Sequence, residues 1–320
     1  MKIIWRIIII TIVVGLVLAV LGLSMGASRS IYWDNMRVHI AEDKISRVTE
    51  LDLGYFKSVN IDIDFSDVEF IIADQYGIDA CSYGAEWDWS LEDGMLKITQ
   101  KGRSSINIIN FNWSFQQPEN NYLRVYIPSG ATLGTVAINT DSGKVKLGDF
   151  RADSVQINNS FGAVEVKAIT SDNLKIDLDS GDVTVTDLNV RNLFYHNSFG
   201  KGRFQTVSAE RFTADCDSGD LDLNVCRFGD TVITSSFGKV TTNDLISSRT
   251  DVDVDSGDVS LSGEFSGETI IRSDFGRVEL STSKPKEDYS YDISVDFGKI
   301  TFDNEDRLGL NTTIRSGGVS

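Results

Sequence analysis

The sequence predicts an all-β fold: a single-stranded β-solenoid of 19-residue coils behind one N-terminal transmembrane helix. Three observations carry the prediction: an uncharged apolar run near the start, glycines that recur at a fixed interval, and apolar residues at constant distances from those glycines. Self-similarity at a fixed period is how repeat architectures announce themselves in sequence.

Residues 1–28 are expected to be the membrane anchor. Ile7 to Ser28 are 22 consecutive uncharged residues, which at ~1.5 Å per residue span roughly 33 Å as a helix, enough to cross a bilayer core. Lys2 and Arg6 precede the run. By the positive-inside rule the N-terminus is then cytoplasmic and the remainder of the chain extracytoplasmic in a single-pass cell-membrane protein. Ser24 and Gly26 leave a cleaved signal peptide as the competing reading, though the run is long for one. Residues 29–55 read as a juxtamembrane stalk, with a short helix expected over Asp34 to Glu50.

Residues 56–130 show β-alternation outside the glycine register, in Val59 to Phe65, Val68 to Ile72, Met95 to Ile98 and Leu123 to Ile127. They read as irregular first coils or a β cap. Within them Phe111, Trp113 and Phe115 alternate with Asn110, Asn112 and Ser114. In an extended segment the three rings share one face, either a lid on the first coil or a binding platform, with the lid favoured.

Residues 131–320 hold the repeat. Gly143, Gly162, Gly181, Gly200, Gly219, Gly238, Gly257 and Gly276 follow one another at a constant 19-residue interval, and Gly298 and Gly317 come after steps of 22 and 19. Two residues after the glycine recur Val145, Val164, Val183, Leu221 and Val240, and five before it Ile138, Ile157, Ile176, Tyr195 and Ile233. Apolar and polar residues alternate around them as in half-buried strands. The parity of that alternation flips at the glycine, so the chain turns there, and flips again before the apolar set Phe150, Ile169, Leu188 and Val207. Strand, corner, strand, corner, repeated once per glycine interval, is a stackable coil.

The coils alternate between two types. One reads Asp-Ser-Gly-Asp, as at Asp179 to Asp182, with bulk three before the glycine at Leu178, Cys216 and Val254. The other reads Ser-Phe-Gly, with the bulk at Phe161, Phe199 and Phe237 beside small Asn159, Asn197 or Ser235. This exchange predicts interior packing of large against small between neighbouring coils. After the glycine, Asp182, Lys201, Asp220, Lys239, Asp258 and Arg277 alternate in sign, which predicts a charge ladder up one corner. The last coil is expected to end as an open edge available for end-to-end self-association.

Composition narrows the function. The formal net charge is −17, which repels phosphate backbones and makes nucleic acid an unsuitable partner. Only two histidines and three cysteines, Cys81, Cys216 and Cys226, are present. No metal site, cofactor or catalytic residue emerges from that inventory, and the cysteines read as small core residues. Asp-Ser-Gly also marks aspartic proteases, but here it recurs at a structural interval, twice that of the glycines.

Leu123 to Ile127 with Pro128-Ser129-Gly130, then Val136 to Thr140 running into Asp141-Ser142-Gly143-Lys144-Val145, then tandem Ser-Gly and Phe-Gly repeats, resemble the putative-adhesin β-strand-repeat family, a bacterial membrane-anchored domain of unknown function. The resemblance covers roughly residues 56 to 320 and implies a cell-envelope location with no catalytic residues. The strict alternation of Ser-Gly and Phe-Gly coils departs from that family's pattern. The expected function is a non-enzymatic, adhesin-like or envelope-sensing module whose partner is a cell-wall polymer or another envelope protein. A self-assembling membrane-attached scaffold and a polysaccharide-active solenoid enzyme are the alternatives.

Overall fold

The computed structural model describes residues 15, 30–34, 37–40, 45–83, 85–101, 106–110, 121–283, 290–303 and 305–315. The expected anchor, Gly15 apart, and the aromatic segment with Phe111, Trp113 and Phe115 lie outside the described residues, as does Gly317. Among the described residues no helix is long and apolar enough to cross a membrane.

The strands in chain order are β1 (Ser30–Asp34), β2 (Arg37–Ile40), β3 (Ile45–Leu53), β4 (Ser58–Phe65), β5 (Asp67–Ala73), β6 (Tyr76–Tyr83), β7 (Glu86–Glu92), β8 (Met95–Lys101), β9 (Ile106–Asn110) and β10 (Tyr122–Pro128). The repeat follows as β11 (Thr132–Ser142), β12 (Val145–Gly148), β13 (Arg151–Phe161), β14 (Val164–Lys167), β15 (Thr170–Ser180), β16 (Val183–Phe199), β17 (Gly202–Ser218), β18 (Leu221–Asn224), β19 (Arg227–Phe237), β20 (Val240–Asn243), β21 (Leu245–Ser256), β22 (Val259–Phe265), β23 (Glu268–Thr282), β24 (Ser290–Phe302) and β25 (Glu305–Arg315).

Parallel pairing between coils keeps the interval that the glycines predict. Ile138 lies beside Ile157, Ile157 beside Ile176, and Ile176 beside Tyr195. Where the step lengthens to 22, Gly276 still pairs with Gly298. The inward residues form one continuous column of buried Val, Ile, Leu and Phe from Phe56 to Phe302. Burial of this apolar column is the main stabilising term, at about 1.5–3 kcal/mol for each large side chain.

Each coil has three sides, one more than the sequence reading distinguished. In β13 the buried residues are Ala152, Val155, Ile157 and Asn159; the three-residue step from 152 to 155 breaks the two-residue alternation and marks a further corner. Pairing skips Asp153 there, passing from Ala152 to Ser154. This corner carries exposed ion pairs: Arg191 reaches Asp172 at 3.3 Å and Glu210 at 3.8 Å, and Arg211 reaches Asp230 at 3.2 Å. Each such pair contributes only about 0.2–1 kcal/mol.

The interior accommodates one outsized residue, Tyr195, which is fully buried. Ala214 stacks beside it in the next coil, and Gly202 leaves the room its ring needs: a Cβ there would lie 2.7 Å from the Tyr195 hydroxyl oxygen. Burial raises the pKa of that hydroxyl, which shares a 3.0 Å hydrogen bond with Asn197 Nδ2.

The two ends differ from the repeat. β4 and β5 form a first coil, with Ile61 beside Ile138 and Val68 beside Val145. The outer edges of β4 and β5 are covered by β8 and β10, and beyond these lie the antiparallel strands β7, β6 and β3. A small separate sheet has the order β2-β1-β9. The helix expected over Asp34 to Glu50 is therefore not what the structure holds. β1 ends at Asp34, and β2 and most of β3 fill the interval, because β3 supplies the ladder partners that the edge of β6 needs. At the other end β25 runs back antiparallel to β24, setting Gly309 beside Gly298. The chain does not continue into another parallel coil there, which corrects the parallel register expected of the last coil: the left-handed Asp303 (φ 46°) reverses it.

Candidate functional site

The glycine corner positions the most unusual surface of the molecule. Strand β13 is inward at Val155, Ile157 and Asn159, so simple alternation would carry Phe161 inward too. Instead the ladder passes from Asn159 to Phe161 and skips Ser160. An unpaired residue of this kind acts as a bulge and re-aims the side chain after it. Phe161 consequently points to solvent.

The same happens in every second coil as far as Phe275, and again in the next coil at Phe297. Phe65, Phe161, Phe199, Phe237, Phe275 and Phe297 are between 51 % and 61 % exposed, and pairing places them in one column with Ser142, Ser180, Ser218 and Ser256 between the first five. The interior exchange expected between Phe161, Phe199, Phe237 and the inward positions is thus corrected. Leu178, Cys216 and Val254 are buried, whereas the phenylalanines are outside and their coils place Asn159, Asn197 and Ser235 inside.

Those inward polar residues serve the corner. Asn159 Nδ2 donates to the Gly143 carbonyl and Asn197 Nδ2 to the Gly181 carbonyl, both at 2.9 Å. The stack is otherwise held through the turn by backbone bonds, such as Gly181 N–H to the Phe199 carbonyl at 2.8 Å and Gly219 N–H to the Phe237 carbonyl at 2.9 Å. The corner backbone is therefore fixed on both sides of each ring, a rigid rack for an apolar stripe.

The residues Asp182, Lys201, Asp220, Lys239, Asp258 and Arg277 run beside this stripe. Each acid accepts a backbone N–H from the next coil: Lys201 N–H to Asp182 at 3.0 Å, Lys239 N–H to Asp220 at 3.0 Å and Arg277 N–H to Asp258 at 2.9 Å. Side-chain pairing is diagonal, with Arg203 on Asp182 at 3.0 Å and Lys201 on Asp222. The Lys201 N–H, followed by the Arg203 guanidinium, holds the Asp182 carboxyl below the usual carboxylate range.

The described residues contain no cluster of three or more His, Cys, Asp or Glu placed to hold a metal. A surface depression is lined by Ser129, Gly130, Asp149, Phe150, Arg151 and Thr170, with no histidine or cysteine in its wall. All three cysteines are buried and unbridged; burial pushes Cys216 up to about 12 and Cys226 up to about 11, far from a reactive thiolate.

A family model described as Toastrack DUF4097 matches residues 56–193 and again 172–317. No curated protein matches the chain. Among solved structures, a "putative lipid binding protein" from Parabacteroides distasonis is 13 % identical with a TM-score of 0.33, covering 82 % of this chain and 95 % of its own. A "putative cell adhesion protein" from Clostridium sporogenes is 11 % identical with a TM-score of 0.25, covering 67 % of this chain and 100 % of its own.

Proposed function

Since the chain belongs to the Toastrack DUF4097 family, we propose that it acts as a non-enzymatic interaction module, attached to the cell membrane through residues 7–28, whose solenoid lies outside the cell. The contact surface is the phenylalanine column of the glycine corner. One observation carries this reading: six phenylalanines, each more than half exposed, stand in a single line on a rigid backbone. Scattered apolar residues are normal on a surface, but exposed rings aligned in one row on one face mark an interaction site. The Lys2 and Arg6 charges ahead of the apolar run support the orientation.

External protease applied to intact cells is expected to digest the solenoid and spare cytoplasmic markers; full protection overturns the orientation. For the surface, Phe199→Ser with Phe237→Ser is expected to melt like the parent and to lose at least tenfold in retention on isolated envelopes. Unchanged retention removes the column from the function.

A further inference from the structure

We propose that the occupant of the phenylalanine column is a second copy of this chain, lying antiparallel so that the rings of Phe161, Phe199, Phe237 and Phe275 in one copy enter the gaps above Ser256, Ser218, Ser180 and Ser142 of the other. The inference rests on reading the column as a contact surface.

Size comes first. Coils are ~4.8 Å apart, so rings in alternate coils stand about 9.6 Å apart with only a serine between them. One further ring fits that gap in stacking contact with both neighbours. The chain itself shows the geometry: where the alternation ends, Phe275 and Phe297 occupy adjacent coils and stack with centroids 5.0 Å apart and planes 5° apart. Rings from a second copy would extend this arrangement along the column.

Symmetry then selects the direction. A two-fold axis running along the column would set each phenylalanine against its own counterpart. A two-fold axis crossing the column between Phe199 and Ser218 sets Phe199 over Ser218 of the second copy, and Phe237 over Ser180 of the second copy.

Charge makes the same choice. The rows of Phe199 and Phe237 carry Lys201 and Lys239, while the rows of Ser180 and Ser218 carry Asp182 and Asp220 on the same side of the stripe. The crossing axis keeps that side facing its equivalent, so Lys201 meets Asp220 and Lys239 meets Asp182 across the interface. The axis along the column would face Asp217 with Asp220 instead. At 52–61 % exposure each of the four interlocked rings offers on the order of 100 Å², together roughly half of the ~800 Å² per partner of a stable complex, and the serine and charged rows beside them add the remaining contact.

The test uses the full chain in density-matched detergent micelles, followed by sedimentation equilibrium over a range of concentrations. A dimer is expected, and Phe199→Ser with Phe237→Ser should weaken it at least tenfold. The decisive variant is Ser218→Phe, which adds apolar surface but fills the gap. Interlocking predicts at least a tenfold loss of association; stronger association means mere stickiness and overturns the proposal. Ser180→Cys with Phe237→Cys should give a disulfide between copies on oxidation, since within one chain these positions lie three coils, about 14 Å, apart and beyond bridging distance. A strictly monomeric parent overturns the pairing. If the monomer's envelope retention still falls in the double-serine variant, the contact-surface reading stands alone; if it does not, both fail.

Discussion

At the glycine corner the backbone of Gly143 through Gly276 has φ between +135° and +157°, while six residues later, at Asp149, Ala168, Asp187, Thr206, Val225 and Asp244, it has φ between +52° and +61°. Both corners turn the chain with positive φ, yet one accepts only glycine and the other takes aspartate, alanine, threonine and even valine. The second corner lies in the left-handed helical region, which an L-residue can enter at a cost of about 1–2 kcal/mol. The first lies outside it, in a region open essentially to glycine alone. Proximity adds a second reason: a Cβ on Gly219 would overlap the carbonyl oxygen of Gly200 in the coil below, and the same holds along the column. Stacking contact, and not the turn alone, is what enforces the glycine period that sequence reveals.

The contrast can be broken first at its strict side. Gly219→Ala is expected to cost at least about 3 kcal/mol in urea unfolding, because it combines a forbidden φ with overlap against backbone. A cost below about 1 kcal/mol would mean that the coils separate easily and that contact does not enforce glycine.

The buttress behind the strict corner comes next. Asn197→Ala removes the donor to the Gly181 carbonyl and the partner of the Tyr195 hydroxyl, leaving both buried. About 2 kcal/mol is expected. Asn197→Ser, copying the residue found at Ser235, should recover part of it.

At the permissive corner the sign should reverse. Val225 is strained at φ 52° and 41 % exposed, so Val225→Gly is expected to raise stability by about 0.5–1 kcal/mol. A loss of stability would show that the valine's packing outweighs its strain.

The smallest effect concerns acid. Asp182 has its pKa lowered by the Lys201 N–H and the Arg203 guanidinium, so its contribution is complete above the ordinary carboxylate value of ~3.9 and disappears as pH falls through the lower folded value. An Asp182→Asn variant should therefore show a shallower loss of stability across that acidic window, read from unfolding midpoints at a series of pH values. Identical pH dependence would show that Asp182 is not a linked group.

The comparison also explains what sequence could and could not disclose. The strict corner is visible because contact tolerates one residue type, and the inward columns at Val145 and Ile138 are visible because burial tolerates few. The permissive corner leaves only a parity flip. The third corner, at Asp153, Asp172 and Arg191, leaves less, since no one residue type recurs throughout and only a three-residue step between inward positions betrays it. The orientation of Phe161, Phe199 and Phe237 was hidden for a different reason: alternation assigns them inward, and the unpaired residue that turns them outward is an ordinary serine. At the C-terminus Gly317 continues the numerical pattern, but the register of Gly309 against Gly298 is set by an antiparallel return that no repeat statistic encodes.

The alternation of ring and serine sets a quantum for the length of this molecule. Removing Lys201 to Gly238, two whole coils, would join Gly200 to Lys239 and preserve the order of phenylalanine, serine, phenylalanine as well as the order of charges. Removing Lys201 to Gly219, a single coil, would bring the rows of Phe199 and Phe237 together and place Asp220 where a lysine stood. A solenoid of this kind can therefore be lengthened or shortened only in pairs of coils if its stripe is to stay in phase, and Phe275 beside Phe297 marks the one described place where that phase is already lost.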